Sequence, residues 1–166
     1  MVALQRTYRL VIWPAIGIFV LDQLTKWLVA SRIPVYHSMS VIPGLVNFVH
    51  IRNRGVAFGI MNQQGHSLAF LLITGISVVV GVCLVLWFLK TKEKSLLHGI
   101  GISLIIGGIA GNVTDRIRLG SVIDFIDVYI GNFHWPAFNV ADSAITVGTC
   151  LLAIYLVTDQ RSGHVS

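Results

Sequence analysis

Four stretches of the chain are apolar almost without interruption: Leu10 to Ala30, Ser67 to Leu89, Ser95 to Thr114 and Val140 to Thr158. Each holds 19 to 23 residues. A helix needs ~20 residues to cross the ~30 Å of hydrocarbon in a bilayer. The pattern therefore predicts four transmembrane helices. The second and third runs carry no formal charge, and the first holds Pro14 and runs straight into Asp22 and Lys26. That first run has no small-residue cleavage site behind its apolar core, so it reads as a span and not as a removable leader.

The connections are unequal. "KTKEK", Lys90 to Lys94, is a tight basic turn between the second and third spans. Ser31 to His66 and Asp115 to Asn139 are long. In "LVNFVHIRN" one face presents Leu45, Asn47, Val49, Ile51 and Asn53, and the other Val46, Phe48, His50 and Arg52. This period of two, opened by Pro43-Gly44 and closed near Gly55, predicts a strand in a short hairpin or curved sheet. A lone hairpin is marginally stable in water, so it is expected against the helix ends or the membrane surface. "GVAFGIM" behind it is apolar enough to dip into the interface. The expectation is one domain over residues 1–166: an all-α integral membrane fold with a small extracytoplasmic β-sheet.

Small residues recur every fourth position in the third span: Gly99, Ser103, Gly107 and Gly111. Such a stripe lets another helix backbone approach closely. Ala144 and Gly148 suggest a similar face on the fourth span.

Composition agrees with a membrane protein. Hydrophobic residues make up 55% of 166 and charged residues 11%, against about 25% charged in soluble domains. The net charge of +5 therefore does not indicate nucleic acid; basic residues that flank apolar runs anchor beside anionic lipid. Four spans put both termini and the KTKEK turn on one side, and the long connections on the other. The basic residues split six against six between the two sides, so their number does not orient the chain. The concentrated KTKEK turn with Arg6 and Arg9 favours cytoplasmic termini.

Cys83 and Cys150 lie inside spans and are expected to pack as small buried hydrophobes. The six histidines show no metal-ligand spacing. The chemistry is left to the acids, of which there are only seven. Asp22 and Lys26, four apart, can pair on one helix face. Asp115, Arg116 and Asn112 form a polar patch at the end of the third span, where Arg116 either neutralises Asp115 or is free to meet a peptide carbonyl. Asp159 and Glu93 read as solvated. Asp124 and Asp142 differ, because each stands among apolar neighbours on the same side of the membrane. Asn139 and Asp142 have the spacing of a capping box, which accounts for Asp142 but not for Asp124.

Two carboxylates brought together where the dielectric is low share a proton. Such a pair suits an aspartic hydrolase, in which one group activates water and the other protonates a carbonyl. It equally suits a small proton-coupled transporter or channel. Four spans without duplicated halves are few for a transporter. In the pair at neutral pH, Asp142 at a helix N-terminus is expected to be ionised, and Asp124, with apolar neighbours, no donors in its local sequence and a negative charge nearby, to hold the proton.

The combination "DQLTK" (22–26), "NRGVAFG" (53–59), "GNVTDR" (111–116), "VIDF" (122–125) and "FNVADSAI" (138–145) resembles the bacterial signal peptidase II family nearly end to end. Val56 departs from the small residue common at its position. The resemblance implies four transmembrane helices in the inner membrane with cytoplasmic termini. It also implies an aspartic endopeptidase that needs no metal or cofactor and is expected to act as a monomer. Its substrates would be prolipoproteins whose cysteine already carries a diacylglyceryl group, cut just before that cysteine near the extracytoplasmic face. By the resemblance, Asp124 and Asp142 are catalytic, and Asn53, Gly55, Asn112, Arg116, Asn139 and Ala141 line the site. Asp22 and Lys26 fall on the family's first-helix polar pair.

Overall fold

The computed structural model describes residues 2–55, 68–91 and 95–162. Four helices run as α1 (Val2–Arg32), α2 (Leu68–Lys90), α3 (Leu96–Leu119) and α4 (Val140–Ser162). Each contains a segment long and apolar enough to cross a membrane. Inside these segments, hydroxyls turn back on their own helix. Thr74 Oγ1 donates to Phe70 O at 2.7 Å and Thr149 Oγ1 to Ile145 O at 2.7 Å, which spares hydrocarbon a free donor.

α3 stands in the middle. Of its most apolar window 56% is buried, against 6% for α2. α1 and α4 pack on α3 along two different faces, and among the described residues α2 has its backbone contacts with α3, while its Phe88 joins a buried cluster with Val11 and Leu152. The residues explain why. On the face toward α1, a Cβ added at Gly107 would lie 2.6 Å from Ala15 O, and one at Gly111 would collide with the Asp22 carboxylate. Between them and Gly99, Ser103 Oγ donates to Val11 O at 2.8 Å. On the face toward α4, a Cβ at Gly101 would lie 3.1 Å from Gly148 O, and one at Gly148 would lie 2.7 Å from Gly101 O. The stripe of Gly99, Ser103, Gly107 and Gly111 is thus used inside one chain against α1, and Gly148 of α4 meets a second small-residue face at Gly101.

Two expectations need correction. The third span does not end at Thr114 but runs to Leu119, where Gly120 caps it at φ 66. Of the charges past Thr114, Asp115 is paired with Lys26 of α1, and Arg118 reaches the Gln23 amide oxygen at the exposed edge. Cys83 and Cys150 are not buried but exposed on the outer helix surfaces. A thiol is apolar enough to face lipid tails, so packing does not require it inside.

The two long connections fold onto each other. β1 (Ser38–Ile42), β2 (Val46–Asn53), β3 (Val122–Ile130) and β4 (Phe133–His134) form one antiparallel sheet in that order. The β1–β2 turn places Pro43 before Gly44 at φ 80, closed by Leu45 N donating to Ile42 O at 3.0 Å. Only glycine takes that φ without strain. β2 and β3 pair from Val46↔Val128 to Asn53↔Val122, with a register shift between Phe48 and Ile51. Val29 and Ile33 at the end of α1 bury with Phe125 of β3, and Phe48, Ile126 and Val140 pack around them. This cluster seats the sheet on the bundle. The apolar segment after Gly55 and the centre of the KTKEK turn lie outside the described residues, as do the side chains of Asp159 and Glu93.

Gly107→Ala should destabilise the detergent-solubilised protein by about 1–3 kcal/mol, the usual range for overpacking. Gly75→Ala, where a Cβ meets nothing within 4 Å, should be neutral or gain up to ~1 kcal/mol of helix propensity. Thermal unfolding of the two variants side by side checks this; equal behaviour would contradict the close contact of α3 with α1.

Candidate active site

α4 begins with the capping box that the sequence suggests. Asp142 N donates to Asn139 Oδ1 at 2.9 Å, and Asn139 N donates back to Asp142 Oδ2 at 3.2 Å. The box leaves two groups over: the Asn139 amide nitrogen and the second oxygen of Asp142. Both point into the space where α3, α4 and β3 meet. Asn139 Nδ2 donates to Asp124 Oδ1 at 2.8 Å. Asn112 of α3 donates through Nδ2 to Asp142 Oδ1 at 2.8 Å. Asn139 Nδ2 also lies 3.2 Å from Asn112 Oδ1. Two asparagines therefore link the two carboxylates, Asp124 from the strand and Asp142 from the helix. Asp124 and Asn139 are 3% and 0% exposed.

The donors that Asp124 lacks locally arrive from distant sequence. Besides Asn139, Asn53 at the end of β2 donates through Nδ2 to Asp124 Oδ2 at 2.9 Å. Ile51↔Asp124 pairing brings the strand end within reach. Asn53 Oδ1 accepts from Gly55 N at 2.8 Å, and Gly55 sits at φ 75. The turn that needs this glycine thereby aims the Asn53 amide at Asp124. Burial pushes the Asp124 carboxyl up to about 6. The hydrogen bond from Asn53 works against the rise, the charge of Asp142 adds to it, and the Asn139 hydrogen bond and the Lys26 charge oppose it. Burial and the neighbouring negative charge raise the proton affinity of Asp124 in the expected direction, but a value of about 6 leaves it largely ionised at neutral pH and protonated only in more acid solution.

Asp127, three residues on, belongs to the other face of β3. It accepts from Asn47 Nδ2 at 3.0 Å and meets His134 Nδ1 at 2.9 Å. Burial opposes its charge, but the His134 and Asn47 hydrogen bonds and the His134 charge together hold it below the ordinary carboxylate value. The strand's alternation separates the two acids of "DFID".

Asp22 and Lys26 do pair, at 2.9 Å, but not alone. Lys26 Nζ lies 2.9 Å from Asp115 Oδ2 and donates to Asn112 Oδ1 at 2.9 Å. Asp115 therefore has its ion pair with Lys26 and not with the adjacent Arg116, among the described residues. It also accepts from Ile123 N at 3.2 Å. Ala141, which the resemblance places among the lining residues, is fully buried, and its N–H donates to Asp22 Oδ1 at 2.9 Å. Arg116 acts electrostatically on Asp142 first, then on Asp124 and Asp115.

Two participants escaped the sequence reading. Asp115 is one i+4 step beyond Gly111 on the glycine stripe, so the stripe's own period aims it at α1. Gln23 bridges Asp22 and Asp115 through Nε2 at 3.2 and 3.1 Å; a polar residue beside Asp22 inside an apolar run was the available signal. Among the described residues no three His, Cys, Asp or Glu side chains group so as to hold a metal ion.

A helical membrane bundle with two linked carboxylates, Asp124 buried and Asp142 half-buried where the helices meet a small sheet, has the makings of a membrane-embedded protease. Residues 14–158 match the family model for signal peptidase (SPase) II. A lipoprotein signal peptidase of Solibacter usitatus is 44% identical over 155 residues, covering 90% of this chain and 93% of the relative. One from Geobacter sulfurreducens is 43% identical over 155 residues, covering 93% and 96%. A solved structure of a bacterial membrane enzyme superposes with a TM-score of 0.77 at 34% identity, covering 90% of this chain and 88% of the other. The chain belongs to the signal peptidase II family. Nothing in these comparisons points to a transporter or channel.

Exchanging the two acids of β3 tests the geometry. Asp127→Asn should keep most of the activity, because its partners lie away from Asn139. Asp124→Asn should lose nearly all of it while inserting and purifying normally. The reverse order in an assay of the purified variants would reassign the pair.

Proposed function

We propose that this protein is an aspartic endopeptidase of the bacterial inner membrane. It removes signal peptides from prolipoproteins that already carry diacylglyceryl on their cysteine, cutting just before that cysteine. The observation that carries this reading is the double asparagine link between Asp124 and Asp142, with Asp124 raised to about 6. Family membership and the names of the relatives supply the substrate.

The chemistry follows from the pair. Asp142 takes a proton from a water held between the carboxylates. The resulting hydroxide attacks the carbonyl carbon before the modified cysteine. Asp124 gives its proton to the carbonyl oxygen, and a tetrahedral diol forms. When the C–N bond breaks, the proton on Asp142 goes to the leaving amine. The diol proton returns to Asp124, and the pair is restored. Each carboxylate changes role once, as a singly protonated pair requires. Arg116, with its charge near both acids, is suited to receive a peptide carbonyl. β2 ends at Asn53 beside Asp124, so an extended substrate reaching the pair runs close to the sheet. All of these residues belong to one chain, which supports a monomer acting alone at the lipid interface.

Cytoplasmic termini place the sheet and the carboxylates toward the exterior, where the lipid-modified cysteine lies. Single cysteines at Gln63 and Lys92, in a Cys83→Ala, Cys150→Ala background, test this. An impermeant thiol reagent on intact cells should label position 63 only. Labelling of position 92 alone would invert the orientation.

Cleavage of a lipid-modified precursor by the purified protein is the direct assay. It should survive strong chelators; loss on chelation with recovery on adding zinc would overturn the aspartic type. Asp124 loses its proton as pH rises through about 6, and the protonated form is the acid. The rate should therefore follow a bell whose alkaline limb begins near that value and belongs to the pair. A flat profile across the range in which the protein stays folded would contradict the dyad.

A further inference from the structure

Lys26 is only 2% exposed, and its ammonium has three acceptors at 2.9 Å: Asp22 Oδ2, Asp115 Oδ2 and Asn112 Oδ1. An ion-pair clamp between α1 and α3 needs only the two carboxylates. The third acceptor belongs to a residue whose other end touches Asp142. That contact has a chemical consequence. An ammonium donates and never accepts, so it holds the Asn112 oxygen toward itself. The Asn112 amide nitrogen must then face Asp142. Asn139 Nδ2, also near Asn112 Oδ1, imposes the same orientation. Turning the Asn112 amide over would set donor against donor on one side and oxygen against carboxylate on the other.

We propose that Lys26 is a positioning residue for the peptidase reaction: through Asn112 it fixes the donor that meets Asp142, and so the hydrogen-bond pattern of the carboxylate pair. The inference rests on the peptidase reading above. The charged groups around Lys26 are Asp22 on its own helix, Asp115 and Arg116 on α3, Asp142 on α4 and Asp124 on β3. Its charge also reaches Asp124, where it favours the ionised form. Removing Lys26 takes away that charge and releases the donor on Asp142. Both changes favour protonation of the pair, so both limbs of the pH profile must move to higher pH. A tie that only holds helices together would lower the active fraction and leave the limbs in place.

The test compares pH profiles of kcat for the full-length protein in detergent, with lipid-modified precursor as substrate. The variants are Lys26→Gln, Lys26→Gln/Asp115→Asn and Asp115→Asn. The double variant removes one positive and one negative charge together, so it leaves one buried carboxylate without its ammonium, Asp22, where the single variant leaves two. Wild-type cleavage, abolished in Asp124→Asn, first checks the peptidase reading by itself. Both Lys26 variants should then show limbs displaced to higher pH and a kcat lower by about 10²-fold, the scale of a small misplacement of catalytic groups. Asp115→Asn, which keeps the ammonium, should keep the wild-type limbs. Limbs that stay in place in the Lys26 variants, at any rate, would overturn the proposal. So would failure of both Lys26 variants to insert and purify, since Lys26 would then be a structural tie alone.

Discussion

One buried ammonium organises this molecule. Lys26 joins Asp22 of its own helix to Asp115 and Asn112 of α3. Each carboxylate then uses its remaining capacity to fix a further element. Asp22 receives the Ala141 N–H at the start of α4, and Asp115 receives the Ile123 N–H at the start of β3. Removing one member of such a buried group typically costs ~3–5 kcal/mol, because its partners are left charged and unpaired. Three helices and a strand are thus referred to a single point, which lies one asparagine away from Asp142.

The glycines make that point possible. Lys26 can reach two carboxylates only because α1 and α3 approach to backbone contact. At Gly111 any larger side chain would occupy the place of the Asp22 carboxylate. The polar cluster and the glycine stripe are therefore one device: close approach brings the charges together, and their attraction repays the desolvation that close approach imposes. α2 takes no part in it. Among the described residues its backbone contacts are with α3, and its surface is left to lipid.

The spans, the β2 hairpin, the capping box and the Asp22–Lys26 pair were legible because each is local: a run length, a period of two, a spacing of three, a spacing of four. What escaped depended on long-range pairing. Asp115 reads as part of a local patch with Arg116 and Asn112, and its ion pair with Lys26 on another helix follows only from the stripe ending at Gly111, which points it toward α1. The donors of Asp124 come from Asn53 and Asn139, 71 and 15 residues away, and no local pattern announces them. β3 is not legible locally, because "VIDFIDVYI" is a short apolar run that suits either helix or strand and only its pairing with β2 decides. The cysteines were misplaced for another reason: in a membrane the outside is also apolar, so hydrophobic character does not tell inside from outside.

The link between Asp22 and the Ala141 N–H has a bearing on how the protein is made. Asp22 lies in the first span to leave the ribosome, and Ala141 in the last. Between their synthesis the cell must place two further helices and both halves of the sheet. Asp124 emerges before α4, and until Asn139 arrives it has the Asn53 amide but no link to Asp142. A nascent chain stalled at any earlier stage lacks Asn139 and Asp142, and with them the hydrogen bonds that link the two carboxylates. The polar network is therefore closed only when the last helix has joined the first.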